Sequence, residues 1–218
     1  MPDCYLGYDP GGGGRHGVAA LRVVGVVATS VTVDVVADAE QALRWLASQC
    51  ANPMAVGIDT LTVLSTGHNG DRPADLHLRT LHPAMANSVM RPNSIRGSMI
   101  ANGIAVARLL RGKYPGINVT ETHPTVVDYH LSGYGVRTWA VSSATMSADL
   151  LAMLGAPALT VVGNVAASGG HAWAALLSAV AAWYGHTGVW TTDLHAIPAG
   201  PGVSIVDAIG GTHYYWPV

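Results

Sequence analysis

The chain has 218 residues, of which half are hydrophobic and 11% are charged, and its formal net charge is −2 with the histidines neutral. This composition excludes an intrinsically disordered chain and favours one globular domain, residues 1–218, with a full hydrophobic core. It also excludes recognition of nucleic acid by a strongly basic surface, so a phosphate-bearing substrate would have to be held by local arginines or by bound metal ions.

The first predicted elements form a β-hairpin. An apolar run at residues 5–8 ends on Asp9, a glycine run at 11–14 follows, and a second apolar run covers 18–27. With a third run at 31–36, the sequence predicts an antiparallel meander of three strands. Asp9 is either an acid presented beside an open space or a solvated turn residue, and the hairpin alone does not decide between these interpretations.

A helix and a parallel strand are predicted next. Residues 41–48 have apolar positions at helical spacing behind Asp38, which fits an N-cap. The apolar run at 54–60 then carries Asp59 near its end, and a strand that follows a helix predicts a parallel crossover onto the first strand. Asp9 and Asp59 would then lie at one edge of the sheet, close enough to share a divalent cation. The alternative is that Asp59 only caps the following segment.

Residues 61–93 are interpreted as an inserted excursion, either a lid or a substrate-facing loop with a helical part. Within it, Arg72, Asp75 and Arg79 are spaced along one side of a short helix. Arg72 and Arg79 are candidate substrate-binding residues, because arginines bind phosphates well. The alternative is an ordinary surface ion pair.

A second helix is predicted at residues 94–110, followed by a strand at 117–124 that carries Glu121. Glu121 is the third carboxylate at a strand end and therefore a candidate metal ligand. His123 would point to the same side while the strand stays extended, as a ligand or base or as a histidine bonded to a backbone carbonyl.

The last part of the chain contains two predicted helices and a tail. A short helix is expected at residues 150–154 behind a cap at 147–149, and the segment 170–184 is apolar nearly all round, which is typical of a buried helix. His171 lies in its first turn and is placed to meet the strand-end acids. We expect a short strand at 190–192 and a tail, residues 191–218, that wraps the surface.

These motifs, in this order, resemble the uncharacterised family of predicted RNase H-like nucleases. The motifs are Tyr-Asp-Pro-Gly-Gly around Asp9, Gly-Ile-Asp-Thr around Asp59, Arg-Pro-Ala-Asp from Arg72, Glu-Thr-His-Pro from Glu121 and the small-residue helix from His171. That last helix also resembles the one in RuvC-type Holliday-junction resolvases. Each motif is weak alone, and their order is what makes the resemblance specific.

The resemblance implies an α/β fold with an RNase H-like mixed five-stranded sheet, three antiparallel strands followed by parallel ones, flanked by helices. It also implies hydrolysis of phosphodiester bonds in DNA or RNA by a two-metal mechanism that uses Mg²⁺ or Mn²⁺. The metal ligands and catalytic residues would then be Asp9, Asp59, Glu121 and His171. The apolar composition and the resolvase-like helix are compatible with a homodimer.

The sequence departs from the family pattern at Ala174, where these families usually carry an acid one turn after the position of His171. A missing ligand would weaken metal binding and catalysis. One alternative is therefore a non-catalytic module that keeps the nuclease fold and binds nucleic acid or protein. An actin-like ATPase-type phosphotransferase is a third hypothesis, disfavoured because this length has room for one domain and not two.

Cellular location is predicted from the cysteines and from the absence of targeting features. Cys4 and Cys50 are too few for a disulfide framework, so we expect reduced thiols and a cytoplasmic protein. The N-terminus shows no signal peptide, and polar residues and glycines interrupt the small-residue run at 161–182. No membrane partner is predicted.

Overall fold

The structure is a computed structural model that describes residues 2–11, 13–66, 70–90, 97–132, 154, 160–162 and 170–217. Its strands are β1 (Asp3–Asp9), β2 (His16–Val24), β3 (Val27–Val36), β4 (Ala55–Ile58), β5 (Val63–Ser65), β6 (Asn118–Glu121), β7 (Thr160–Val162), β8 (Thr192–Asp193), β9 (Ile205–Asp207) and β10 (Tyr215–Trp216). Its helices are α1 (Ala39–Gln49), α2 (Pro73–Leu81), α3 (Gly97–Lys113), α4 (Pro124–Leu131) and α5 (His171–His186). The helix predicted at 150–154 lies, apart from residue 154, outside the described residues.

The main sheet has the strand order β6-β4-β1-β2-β3-β7. Strands β1, β2 and β3 form the predicted antiparallel meander, β4 pairs parallel to β1, and β6 pairs parallel to β4. The predicted α/β fold, with three antiparallel strands followed by parallel ones, is therefore confirmed. Within the described residues one further short strand, β7, extends the sheet by pairing parallel to β3.

Helix α5 lies directly on one face of the sheet because glycines remove the side chains beneath it. Gly17, Gly7 and Gly57 occupy β2, β1 and β4, and a Cβ atom built at any of them would lie within 2.0 Å of a backbone oxygen of α5. Only glycine permits an approach this close. The helix is apolar nearly all round and buried, as predicted, and this contact fixes its first residue, His171, at the end of the sheet where β1 and β4 terminate.

The opposite face of the sheet packs against α1 and α3. Side chains of β1 and β4, such as Leu6 and Ile58, form a second core with Leu46 of α1 and Leu110 of α3. Helix α1 begins at the predicted cap, since the Asp38 side chain accepts a hydrogen bond from the backbone nitrogen of Gln41. In the part of the chain that the structure describes, no helix is long and apolar enough to cross a membrane.

The C-terminal tail, which was predicted to wrap the surface, is anchored in the core by aromatic side chains near its end. Tyr214 and Trp216 are 2% and 1% exposed and belong to the core beneath α5. Strand β10 pairs with β8, and β9 pairs antiparallel with β5 of the 61–93 excursion. The physical reason is the large apolar area of the aromatic side chains, whose burial ties the tail to the domain.

Cys4 and Cys50 form a disulfide bond, which corrects the expectation of reduced thiols. Cys4 lies in β1 and Cys50 directly follows α1, and the crossover brings their Cα atoms to 6.3 Å. That spacing lies within the range of protein disulfides. The two cysteines are 3% and 2% exposed, so the bond is buried between the sheet and α1.

We expect the Cys4→Ala/Cys50→Ala variant to lose about 2–4 kcal/mol of unfolding free energy, because the bond restricts the unfolded chain. Urea denaturation with and without reductant measures this loss, and the double variant should not respond to reductant. Thiol titration of the unreduced, denatured wild type should detect no free thiol. Two free thiols per chain would contradict the disulfide.

Candidate functional site

The carboxyl ends of β1 and β4 bring Asp9 and Asp59 together. Tyr8 and Ile58 are paired in the parallel register, and the Asp59 backbone nitrogen donates to the Tyr8 carbonyl oxygen at 2.9 Å. The two acids therefore lie side by side at one edge of the sheet. They open into a cleft of about 290 Å³, the acidic cleft, whose described lining is Asp9, Asp59, Met99, Pro124, Thr125, Gly170, His171 and Ala174.

His171 is bonded to Asp9 across the acidic cleft. Its Nδ1 donates to Asp9 Oδ2 at 2.7 Å, and the His171 side chain stays 28% exposed. Burial raises the pKa of Asp9, although the hydrogen bond from His171 opposes this shift. The same bond raises the pKa of His171. Both groups thus gain proton affinity in this contact.

The glycine run after β1 makes room for the imidazole. A Cβ atom at Gly11 would lie 1.7 Å from the Arg15 backbone oxygen and 2.8 Å from ring atoms of His171, and Gly13 and Gly14 have φ values of 74° and 80°. Close approach thus explains the first of these glycines, and left-handed backbone explains the other two. The open space inferred beside Asp9 is occupied by the His171 ring.

Asp59 is the unpartnered acid of the site. Its side chain is partly buried, and no residue in the described ranges forms a hydrogen bond with its carboxylate. Burial and the neighbouring charge of Asp9 raise its pKa well above the usual range. Two carboxylates side by side repel each other, and a divalent cation is the usual means of keeping such a pair ionised.

We expect Asp59→Asn to stabilise the metal-free protein by about 1–2 kcal/mol near neutral pH, because it removes a buried, unpaired charge. Because the pKa of Asp59 is raised in the folded state, its contribution to stability is fully present below its unfolded-state pKa. This contribution is lost as pH rises through its folded-state pKa. The difference in melting temperature from wild type should therefore grow from about pH 4 to about pH 8. Asp3→Asn, at the exposed start of β1, is the control, because it removes a carboxylate that is not buried. A constant difference across this range would contradict the assignment.

Glu121 is not a free ligand, which corrects its predicted place among the metal-binding acids. Its Oε2 accepts from Arg72 Nη1 at 2.6 Å, and its Oε1 accepts from the Thr62 hydroxyl and the Val63 backbone nitrogen at 2.8 and 2.7 Å. Burial would raise its pKa, but Arg72, His195 and these donors outweigh burial and hold the pKa at about 2. Glu121 is 1% exposed and does not line the acidic cleft.

Arg72 likewise has an internal role and not the predicted substrate-binding one. It is 2% exposed, and its Nε and Nη2 donate to the two oxygens of Asp75 at 2.8 and 2.7 Å. Arg72 therefore forms an ion pair with Asp75, as in the alternative prediction, but this pair is buried and does not lie on the surface. Arg79 also has an internal partner, since its Nη1 donates to Asp71 at 2.8 Å, and its Nε donates to the Val89 carbonyl oxygen.

His123 bonds to a backbone carbonyl, one of the two predicted alternatives. Its Nε2 donates to the Ser88 oxygen at 2.8 Å. Among residues that the sequence did not single out, Thr125 and Met99 line the acidic cleft and His195 contacts Glu121 at 3.3 Å. Thr125 lies only four positions after Glu121, so its closeness in sequence to a predicted site residue was a usable signal. Nothing in the local pattern links the tail residue His195 to the site.

No protein-family model, curated protein or solved structure matches the chain. Membership of the RNase H-like nuclease family therefore stays a prediction that rests on the motifs. Within the described ranges, no group of three or more histidine, cysteine, aspartate or glutamate side chains is arranged to hold a metal ion. The cleft offers the carboxylates of Asp9 and Asp59, with His171 bonded to the first.

Proposed function

We propose that the chain is a divalent-metal-dependent nuclease that hydrolyses phosphodiester bonds of DNA or RNA at the acidic cleft. The observation that carries this proposal is the pairing of Asp9 with Asp59 at adjacent ends of parallel strands, with His171 hydrogen-bonded to Asp9 in the same open cleft. Ligands in α/β folds bind at such strand ends. The sequence motifs around these residues support the same chemistry.

The donor set fits one cation better than the two that the family resemblance implies. Mg²⁺ is commonly held by one or two carboxylates together with substrate phosphates and water, and Asp9 and Asp59 supply that number. Glu121, which would serve a second ion, is bonded to Arg72. When bound, Mg²⁺ or Mn²⁺ would neutralise the phosphate and lower the pKa of a bound water.

The protein side chains have separate roles in this proposal. Asp9 and Asp59 give the cleft its negative charge and attract the cation. Without the cation, these carboxylates would repel a phosphate. His171 fixes the orientation of Asp9 through Nδ1, and its exposed ring can exchange a proton with a leaving oxygen. Gly17 lets the backbone of His171 lie directly against β2.

Mn²⁺ calorimetry and a cleavage screen test the proposal. The substrates would be single-stranded, duplex and branched oligonucleotides, with Mg²⁺, Mn²⁺ or chelator. We expect weak Mn²⁺ binding and metal-dependent cleavage, both lost in Asp9→Asn and in Asp59→Asn and retained in the exposed control Asp3→Asn. Cleavage that survives in the chelator, or in both cleft variants, would overturn the proposal.

A second candidate is a non-catalytic module that binds nucleic acid or protein. It is favoured by the altered position Ala174, which lines the cleft without a carboxylate, and by the occupied state of Glu121. In that case the chain would retain oligonucleotides in a filter assay and cleave none of them with any metal. A homodimer and a cytoplasmic location stay predictions.

A further inference from the structure

A second cavity, the inner cavity, lies beside the acidic cleft and shares a wall with it. Its volume is about 180 Å³, and Asp59, Met99 and Thr125 line both spaces. The carboxylate of Asp59 has no hydrogen-bond partner among the described residues. A ligand in the inner cavity would therefore meet the same carboxylate that the proposed divalent cation uses.

The charges of the inner cavity favour a cation. Its described lining includes three carboxylates and one guanidinium. Arg72 donates to Asp75 and to Glu121, so both of these acids already have a cationic partner. Asp59 is the acid of the described lining that lacks one. An anion would be repelled by Asp59, whereas a positive group would be attracted to it.

The Tyr214 hydroxyl is a second unpaired polar group of the inner cavity. Tyr214 comes from the C-terminal tail, is 2% exposed and lines the cavity. No group in the described ranges forms a hydrogen bond with its hydroxyl, whose oxygen is not among the fully enclosed unpaired atoms. Burial raises the pKa of Tyr214 well above its usual range, and nearby carboxylates, including Asp59, add to this shift, so the phenol stays protonated. Buried hydroxyls usually have a partner, which indicates that a ligand group is missing here.

An ammonium group matches these acceptors better than a metal ion does. An ammonium carries three donors. The described lining offers the carboxylate of Asp59 and the hydroxyl oxygens of Tyr214 and Thr125 as acceptors without a partner in the described ranges. A divalent ion prefers several charged or carbonyl oxygens and bound water, whereas this cavity offers one free carboxylate among apolar walls.

The remaining lining suits a short carbon chain. Leu61, Met90 and Met99 provide apolar surface, and methionine side chains adapt to a flexible ligand. A protein cavity of about 150 Å³ holds one benzene molecule, so the inner cavity has room for an amine of about four carbons. Each methylene that is buried against this lining adds hydrophobic stabilisation.

We propose that the inner cavity binds a free primary aliphatic amine in its ammonium form, with the ammonium at Asp59 and Tyr214 and the carbon chain along the apolar lining. This inference goes beyond the proposed function, because it requires neither a metal nor cleavage. Since Asp59 also lines the acidic cleft, the amine and a divalent cation compete for one carboxylate. A bound amine therefore inhibits the nuclease, and this last consequence rests on the proposed function.

Calorimetry with n-butylammonium chloride, in chelator at neutral pH, tests the inner cavity separately from the reaction. We expect n-butanol, the neutral counterpart, to bind at least about tenfold more weakly, since it lacks the hydrogen bond between two charged groups. Affinity should rise about threefold for each methylene from methylammonium to n-butylammonium. Without chelator, added n-butylammonium should weaken Mn²⁺ binding to wild type.

Two variants test the ammonium contacts. Asp59→Asn should weaken n-butylammonium binding about 10- to 100-fold, and Tyr214→Phe should weaken it about three- to tenfold. The matched control is Tyr184→Phe, because Tyr184 is partly buried and lines neither cavity. Its affinity for n-butylammonium should equal that of wild type. Melting curves establish that all three variants fold.

The outcomes separate the two proposals. Amine binding in chelator, while all metal-dependent cleavage is absent, would retain the inner cavity and overturn the nuclease. Metal-dependent cleavage without amine binding would do the reverse. Equal affinity for n-butylammonium and n-butanol, or undiminished binding in a folded Asp59→Asn or Tyr214→Phe variant, would overturn the ammonium assignment. Tighter binding of Nα-acetyl-lysine methylamide than of n-butylammonium would overturn a free amine in favour of a lysine side chain of a protein.

Discussion

Arg72→Met is expected to lower the free energy of unfolding by about 3–5 kcal/mol, the usual cost of removing one partner from a buried ion pair. Arg72 contacts Asp75 through two nitrogens and also donates to Glu121 and to the Val63 carbonyl oxygen. Its loss leaves two buried carboxylates without their cation. Urea denaturation at neutral pH measures the effect.

The control is Arg79→Met, which removes a guanidinium from the same helix region. Arg79 is 17% exposed, pairs with a single carboxylate and also donates to the Val89 carbonyl oxygen, so we expect a smaller loss of about 1–2 kcal/mol. Adding Glu121→Gln to Arg72→Met should recover part of the stability, since it removes an uncompensated charge. Equal losses for the two single arginine variants would contradict a structural role for Arg72.

The pH dependence of Arg72→Met should be weaker than that of wild type. In wild type the pKa of Glu121 is held at about 2, so this carboxylate contributes stability above its unfolded-state pKa and loses it as pH falls through about 2. Without the guanidinium, only His195 and the remaining hydrogen-bond donors oppose burial, so the pKa of Glu121 rises. Stability of the variant should then fall less than that of wild type as the solution is acidified below about pH 4.

The central sheet could be predicted from the sequence because each step depends on local pattern. The pairing of β4 with β1 follows from the apolar strand runs, from the Asp38 cap of the helix between them, and from the rule that a helix between two strands gives a parallel crossover. That pairing alone brings Asp9 beside Asp59. The sheet edge of the candidate site thus followed from short-range information and one topological rule.

The rest of the site depends on contacts between distant segments. Glu121 and Arg72 are 49 positions apart in the sequence. A residue at a strand end and a residue at a helix start could each face a cleft, or the two could form an ion pair, and the sequence does not decide between these arrangements. The tail had no amphipathic pattern that indicated burial, yet it contributes His195 to the same network. The disulfide was missed for a related reason, since two cysteines alone carry no information on their distance.

The glycines show a signal that was available and only partly used. Gly7 and Gly57 each lie two residues before the acid at the end of their strand, and both permit α5 to lie on the sheet. The sequence interpretation assigned significance to the hairpin glycines but not to these. A glycine within a strand often marks close backbone approach, so the packing of the apolar helix over β1 and β4 was predictable in principle.

Ala174→Asp is expected to tighten Mn²⁺ binding about 100-fold, which equals about 2.7 kcal/mol. Ala174 is one turn after His171 on α5 and lines the acidic cleft with Asp9 and Asp59. A carboxylate at this position would be a third acidic ligand on the open side of the pair. It would replace the acid that Glu121 does not supply, because Glu121 is bonded to Arg72.

The same substitution should lower stability without metal, because a third carboxylate is added beside two whose pKa values are already raised by burial. Divalent metal should reverse this, raising the melting temperature of the variant far more than that of wild type. Ala174→Asn has nearly the same volume without the charge, so it separates ligation from packing. If the Asp and Asn variants bind Mn²⁺ equally, a carboxylate at position 174 is not a metal ligand. If only the Asp variant binds tightly and also gains metal-dependent cleavage, then Ala174 is what limits the activity of this chain.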